Sequence, residues 1–204
     1  MASDDPVGRA AVEAVLGGDR DAFRILVERE AAGVVRACHR ILGDPHEAED
    51  IAQEAFVTAY RSLSTWRADG PFGAWLTRIA VRLALRQAAR RRPVAWIDPL
   101  GGATTTSSSS RDGGAGSVAP PLVAPASHDP AIAAERGERE AAVRAAVAAL
   151  EEPYREVVAL RFFGELSLAE IATASDRPIG TVKTHLHRGL LRLRAALIAA
   201  GDVR

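Results

Sequence analysis

"LSLAEIATASDRPIGTVKTHLHRGLLRLR", Leu166 to Arg194, decides the fold class. Ser167 and Glu170 have the spacing of a capping box, in which each side chain satisfies a free backbone donor in the first turn of a helix. A short helix follows, with Leu168, Ile171 and Ala172 turned inward. "SDRP", 175–178, breaks it. Beyond the break, Ile179, Val182, Leu186, Leu190, Leu193 and Leu197 recur at spacings of three and four, which predicts a longer helix with these residues inward. A short helix, a tight turn and a longer helix make a helix-turn-helix.

The positions off the leucine face are Thr181, Lys183, Thr184, His185, Arg188 and Arg192. The second helix of such a unit enters the major groove, where Lys and Arg pair with guanine or phosphate and Thr meets base edges or a thymine methyl. The alternative is a plain helical hairpin with a basic, solvated face. The capping box, the turn and the basic face coincide, which favours DNA.

Upstream, Asp129-Pro130 reads as a cap followed by a first-turn proline. An Ala- and Glu-rich helix should run to about Leu150, and Pro153 should start another through "YREVVALRFF". Residues 98–128 are dominated by Gly, Ser, Thr, Pro and Ala. They bury too little apolar surface to offset their ordering entropy and read as a flexible linker.

The block from residue 1 to about 97 again reads as helices, with heptad-like apolar spacing in Phe23, Leu26 and Val27, then in Ile51, Ala55, Phe56, Ala59, Tyr60 and Leu63. "GDP", 43–45, breaks it and offers Asp44 as an N-cap; "RADGP", 67–71, breaks it again. No convincing alternating strand pattern appears. The fold expected is all-α: two helical domains, residues 1–97 and 129–204, joined by the linker.

Formal net charge is zero, but the charges are sorted. From Asp44 to Glu54 there are five acids and no Lys or Arg. From Arg78 to Arg92 there are six Arg and no acid. In "LTRIAVRLALRQAARRR", 76–92, Arg78, Arg82, Arg86 and Arg90 recur every four residues. That spacing draws a slowly drifting stripe beside an apolar face of Leu76, Ile79, Ala80 and Leu83. Trp75 projects near the stripe. Solvated faces usually mix signs, and this one does not, so a phosphate-bearing partner with unstacked bases is expected. Glu49, Asp50, Gln53 and Glu54 form an acidic helix face suited to a basic protein partner, with first-turn dipole stabilisation as the alternative for Glu47 and Glu49.

Catalysis finds little support. The single cysteine, Cys38, permits no internal disulfide and no Cys-based metal cluster. His185 and His187 diverge by about 200° on a helix and cannot share a metal. No phosphate-binding glycine loop or nucleophile elbow is present. No cofactor, no metal and no enzymatic activity are expected. The N-terminus "MASDDPVG" is unlike a signal peptide, and no apolar run approaches the roughly 20 residues of a membrane span. A cytoplasmic setting without membrane insertion is the expectation.

The segments "GDPHEAEDIAQEAFVTAYRSL", "FGAWLTRIAVRLAL" and "LSLAEIATASDRPIGTVKTHLHRGLLRLR", in this order and spacing, resemble bacterial RNA polymerase sigma factors of the extracytoplasmic-function group. The resemblance covers about Asp19 to Pro93 and Asp129 to Leu197. It implies a sigma-2-like domain and a sigma-4-like helix-turn-helix domain that recruit core RNA polymerase to promoter DNA. It implies that the acidic helix, through Asp50, Gln53, Glu54 and Glu49, meets the clamp helices of the largest polymerase subunit. It implies that the loop Arg67 to Phe72 and the arginine helix read and melt the −10 element, and that the final helix reads the −35 element. An anti-sigma factor is a partner it admits.

The sequence departs from the family at several points. Arg82 and Arg86 stand where Asn and often Asp are usual, which shifts the −10 site toward phosphate. Asp176 and Arg177 stand where the turn usually has Gly and an apolar residue, and Ala174 and Ser175 thin its packing. Two other readings are a helix-turn-helix regulator that acts without being a polymerase subunit, and an adaptor that binds only protein.

Overall fold

The structure is a computed structural model that describes residues 5–91 and 130–199. The expected linker falls outside the described residues. Every regular element among those residues is helical: α1 (Pro6–Leu16), α2 (Ala22–Leu42), α3 (Pro45–Arg61), α4 (Phe72–Arg91), α5 (Pro130–Ala149), α6 (Tyr154–Phe162), α7 (Leu168–Ser175) and α8 (Ile179–Ala199), with a short 3-10 turn at Leu63–Thr65.

The breaks arise where local chemistry demands them. Asp44 is the N-cap of α3 and accepts a hydrogen bond from the Glu47 N–H at 2.9 Å, with Pro45 in the first turn. Gly43 closes α2 with φ +74°, a left-handed conformation that a side chain resists. The capping box of α7 is complete. The Glu170 N–H donates to Ser167 Oγ at 3.2 Å, and the Ser167 N–H donates to Glu170 Oε2 at 2.8 Å. Asp176 takes the left-handed C-cap position after α7 at φ 53°, a conformation Asp tolerates better than most side chains.

The "GDP" signature of α3 has a counterpart at the N-terminus that the sequence reading passed over. Asp5-Pro6 begins α1 in the same way, and the Gly8 N–H donates to Asp5 Oδ1 at 2.9 Å. The same carboxylate takes two bonds from the Arg29 guanidinium, at 2.8 and 2.7 Å, and one at 3.1 Å from the Phe72 N–H, a free donor of the first turn of α4. Asp5 thus pins α1 to α2 and to the start of α4. Burial works to raise its pKa, but the Arg29 guanidinium and the two backbone donors outweigh burial and hold it below its ordinary 3.8. A carboxyl depressed by folding stabilises the fold above its unfolded pKa, and that stability is lost as pH falls through the folded pKa. The amide resonances of Gly8 and Phe72 should therefore titrate together, with a midpoint below 3.8. Separate midpoints, or one above 3.8, would contradict this linkage.

α2, α3 and α4 form the N-terminal bundle, on which α1 packs; α6, α7 and α8 form the C-terminal unit, which α5 flanks. Leu26, Val34, Cys38, Phe72 and Leu76 are fully buried in the first, and Val157, Leu160, Ile171 and Val182 in the second. Burial pushes the Cys38 thiol up to about 12, so it behaves as a small apolar side chain. In α8, Val182, Leu186 and Leu193 turn inward as expected, whereas Ile179 and Leu190 stay exposed. A 21-residue helix over two short ones leaves part of its apolar face uncovered.

The larger difference lies in α4. Its expected apolar face is there, with Leu76, Ala80 and Leu83 buried and Ile79 partly so. A second face, Ala74, Thr77, Val81 and Leu85, is buried as well. α4 packs on α2 and α3 with one side and on α6 and α7 with the other. A Cβ on Gly164 would come within 2.9 Å of Thr77 Cγ2, and one on Gly70 within 2.9 Å of Thr173 Cγ2. The two helical blocks therefore share one seam, with α4 as its wall.

Candidate nucleic-acid interface

Glu49, Asp50, Gln53 and Glu54 are all exposed on α3. At about 100° per residue they fall within roughly 140° of arc. The buried residues Ala48, Ile51, Ala52, Ala55 and Ala59 occupy the opposite side. The small alanines let α3 lie close to its neighbours, so the acidic row stands on a rigid rod. Sequence reasoning missed Val57, which is 49% exposed and lies in the middle of that arc. Tyr60 borders it, held edge-on by Phe23 with ring centroids 5.0 Å apart. An apolar side chain ringed by acids has the composition of a protein-binding patch.

Helix α4 divides its arginines. Arg82, Arg86 and Arg90 are exposed, as the stripe predicts. Arg78 is not. Its Nε donates to Glu156 Oε1 at 2.9 Å and its Nη1 to the Ala174 carbonyl at 2.9 Å. Trp75 is half-buried and packs on Phe72 at a centroid distance of 5.6 Å; Phe72 meets Trp66 edge-on at 5.8 Å. Arg67, Trp66, Trp75 and Arg78 line one wall of a cleft of about 220 Å³, and Thr173 and Asp176 line the other.

Glu156 was also missed. It is 5% exposed, on an α6 that is otherwise apolar at Val157, Val158, Ala159 and Leu160. Its second oxygen meets Arg177 Nη2 at 3.1 Å, and Arg82 Nε stands 4.0 Å from the first. A buried carboxylate is costly unless paired, and here guanidinium groups from both domains compensate it. This accounts for Arg177 in the helix-turn-helix turn. A cation there has a buried acid to meet. The signal in the sequence was a lone acid in an apolar helix, with no partner within its own turn.

On α8, Lys183, Thr184 and Arg188 are exposed. Thr184 Oγ1 donates back to the Gly180 carbonyl at 3.0 Å. Thr181 is half-buried. His185 sits edge-on to Tyr154 at 5.7 Å; burial, then the nearby Arg177 and Arg188 charges, lower its pKa and keep the ring neutral at physiological pH. Arg192 lies over the Tyr154 ring at 4.1 Å. Of the six sequence candidates, the freely presented ones are thus Lys183, Thr184 and Arg188, while His185 and Arg192 border the domain's own core.

No group of three His, Cys, Asp or Glu positioned to hold a metal occurs among the described residues. Nor is any described helix long and apolar enough to cross a membrane.

The comparisons with known proteins fall on the same two blocks. Residues 26–94 match Sigma-70 region 2 and residues 140–193 match Sigma-70, region 4. The chain is 33% identical to the ECF RNA polymerase sigma factor SigW of Bacillus subtilis, over 91% of this chain and 94% of that protein. It is 34% identical to the RNA polymerase sigma-H factor of Pseudomonas aeruginosa, over 91% of each. Against the ECF RNA polymerase sigma-E factor of Escherichia coli the identity is 31%, over 91% of this chain and 92% of that one. CnrH, solved in complex with the cytosolic domain of CnrY, shares the fold with a TM-score of 0.58 at 21% identity, over 95% of this chain and 99% of that chain. Two helical domains of this build, matched along nine-tenths of their length by such relatives, place the chain in the extracytoplasmic-function group of RNA polymerase sigma factors, the proteins that direct transcription initiation.

Proposed function

We propose that the two domains divide the work of initiation between surfaces of opposite sign. The α3 face of Glu49, Asp50, Gln53 and Glu54, with Val57 at its centre, binds core RNA polymerase. Arg82, Arg86 and Arg90 of α4, with Trp75 and with Arg78 once it is released, bind the −10 region of promoter DNA and hold it open. Lys183, Thr184 and Arg188 of α8 read the −35 region, with Thr181, His185 and Arg192 framing them. The chain acts in the cytoplasm as a polymerase subunit and catalyses nothing itself. An anti-sigma partner is part of the same reading.

The observation that carries it is the sorting of charge onto separate exposed faces. From Glu49 to Glu54 the outer arc of α3 carries three acids and no Lys or Arg, and α8 exposes two cations and a threonine in its first three turns, the part of a helix-turn-helix that meets base edges. Transcription in vitro from mapped promoters with bacterial core polymerase tests it. Lys183→Ala and Arg188→Ala should weaken −35-dependent initiation. A lost base contact costs about 1–3 kcal/mol and relaxes sequence preference, whereas a lost phosphate contact lowers the salt slope by about one. Parental transcription by both variants would remove α8 from the reading. Specific DNA binding by a chain that never engages core polymerase would favour a regulator.

A further inference from the structure

The loop that joins the 3-10 turn to α4 carries Trp66 and Arg67 and leads into Phe72 and Trp75, yet its own backbone does little to fix its course. The Trp66 N–H donates to the Leu63 carbonyl at 3.1 Å, and the Pro71 carbonyl accepts from the Ala74 and Trp75 N–H groups at 3.1 and 3.4 Å. Between these ends, residues 67–70 make no backbone–backbone hydrogen bond among the described residues. Ala68 nonetheless sits at φ 58°. A side chain resists that left-handed conformation, which persists only where the surroundings over-determine it. The loop's shape is therefore imposed from outside.

Two neighbours impose it. One is the C-terminal domain, through the exposed Arg67–Asp176 pair at 3.3 Å. A pair of that kind is weak and screened by salt. The other is α1, which packs against both the 3-10 turn and α4, at the two ends of the loop. At the α4 end the contact is a single carboxylate. Pro71 precedes α4 and has no side-chain acceptor, so the Phe72 N–H donates to Asp5 Oδ2, at 3.1 Å. The same carboxylate caps α1 through Gly8 and receives both arms of the Arg29 fork. Glu30 Oε1 steadies that fork, accepting from Arg29 Nε at 2.6 Å. Two glycines make room for the cluster. A Cβ on Gly8 would collide with Asp5 Oδ2, and one on Gly73 with Glu30 Oε2.

We propose that Asp5 is a positioning residue for promoter opening: by capping α4 from outside that helix, it sets the 67–70 loop in the shape that receives a parted strand. This rests on the reading of that loop and α4 as the promoter-melting face. A loop already in its binding shape loses less freedom when it takes up single-stranded DNA, so the effect falls on melting and not on recruitment. Asp5 acts wholly within the N-terminal domain, from a helix that lies outside residues 26–94, the stretch matching Sigma-70 region 2.

Two variants reach the cluster differently. Asp5→Ala removes the acceptor. Gly8→Ala keeps the carboxylate but displaces it, while favouring the helix of α1 itself. Each full-length variant should bind bacterial core polymerase like the parent. On a mapped promoter each should lower the permanganate reactivity of the melted strand about tenfold. Glycine tolerates the left-handed backbone, so Ala68→Gly added to Asp5→Ala should recover most of that loss. A brace that served stability alone would not respond to a glycine in the loop. Unchanged melting in both variants, melting and core binding lost together, both variants unfolded by circular dichroism, or no recovery with Ala68→Gly would each overturn the proposal. If the parent itself leaves the promoter double-stranded, the reading of the melting face falls first. A parent that melts the promoter beside indifferent variants sinks the role of Asp5 alone.

Discussion

Asp50→Arg is expected to abolish binding of core RNA polymerase while leaving the fold intact. Asp50 is exposed on α3, three residues from Gln53 and four from Glu54, and lies off the buried face, so its replacement disturbs no core packing. An acidic face steers a basic partner and fixes register, and a reversed charge sets like against like, which costs several kcal/mol, or roughly a thousandfold in affinity. A pull-down with purified core enzyme reads the loss, and circular dichroism checks that the helices remain. Binding of −35 DNA by α8 should not change, because α3 and α8 lie in different domains. Normal core binding by Asp50→Arg would make the α3 face a merely solvated one.

Phe72→Ala should have the largest effect on stability. The ring is fully buried, braced by Trp66 at 5.8 Å and Trp75 at 5.6 Å, and its residue begins α4. Truncating a buried Phe costs about 3–5 kcal/mol, from lost transfer energy and the cavity left behind. Two tryptophans lose their shared support, so their fluorescence should shift toward that of wetted indole well below the main thermal transition. Thermal unfolding followed by circular dichroism and by tryptophan emission measures both. A loss under about 1 kcal/mol would mean that the loop collapses onto α4 without the ring.

Much of this architecture was readable from single residues. Asp44-Pro45, Ser167 with Glu170, and Pro153 mark helix starts through bonds local to one turn, and local bonds leave local signatures. The steps through Val182, Leu186 and Leu193 in α8 and through Ile51, Ala55 and Ala59 in α3 did the same for packing, whereas Ile179 and Leu190 of the α8 repeat stayed exposed. What escaped shares a different physics. Asp5 works through Arg29 and Phe72, 24 and 67 residues away, and Glu156 through Arg78, 78 residues away. Pairings over such distances have no period to reveal them. The second buried face of α4 was hidden for a related reason. Ala74, Thr77, Val81 and Leu85 are small or interleaved with arginines, so the arginine stripe dominated the pattern. The candidate site residues split the same way: Asp50, Arg82 and Lys183 are exposed as their helical positions suggest, whereas Arg78, His185 and Arg192 are engaged by partners outside their own helices.

That α4 is covered on both sides sets a problem of timing during synthesis. The N-terminal bundle leaves the ribosome complete in its own contacts, yet the Ala74–Leu85 face still lacks α6 and α7. The stretch from Arg91 to Ser175, the end of α7, takes roughly 4–17 s to translate at about 5–20 residues per second. For that interval a nascent chain displays a greasy stripe beside a row of arginines, a target for chaperones and for the acidic surfaces of other nascent chains.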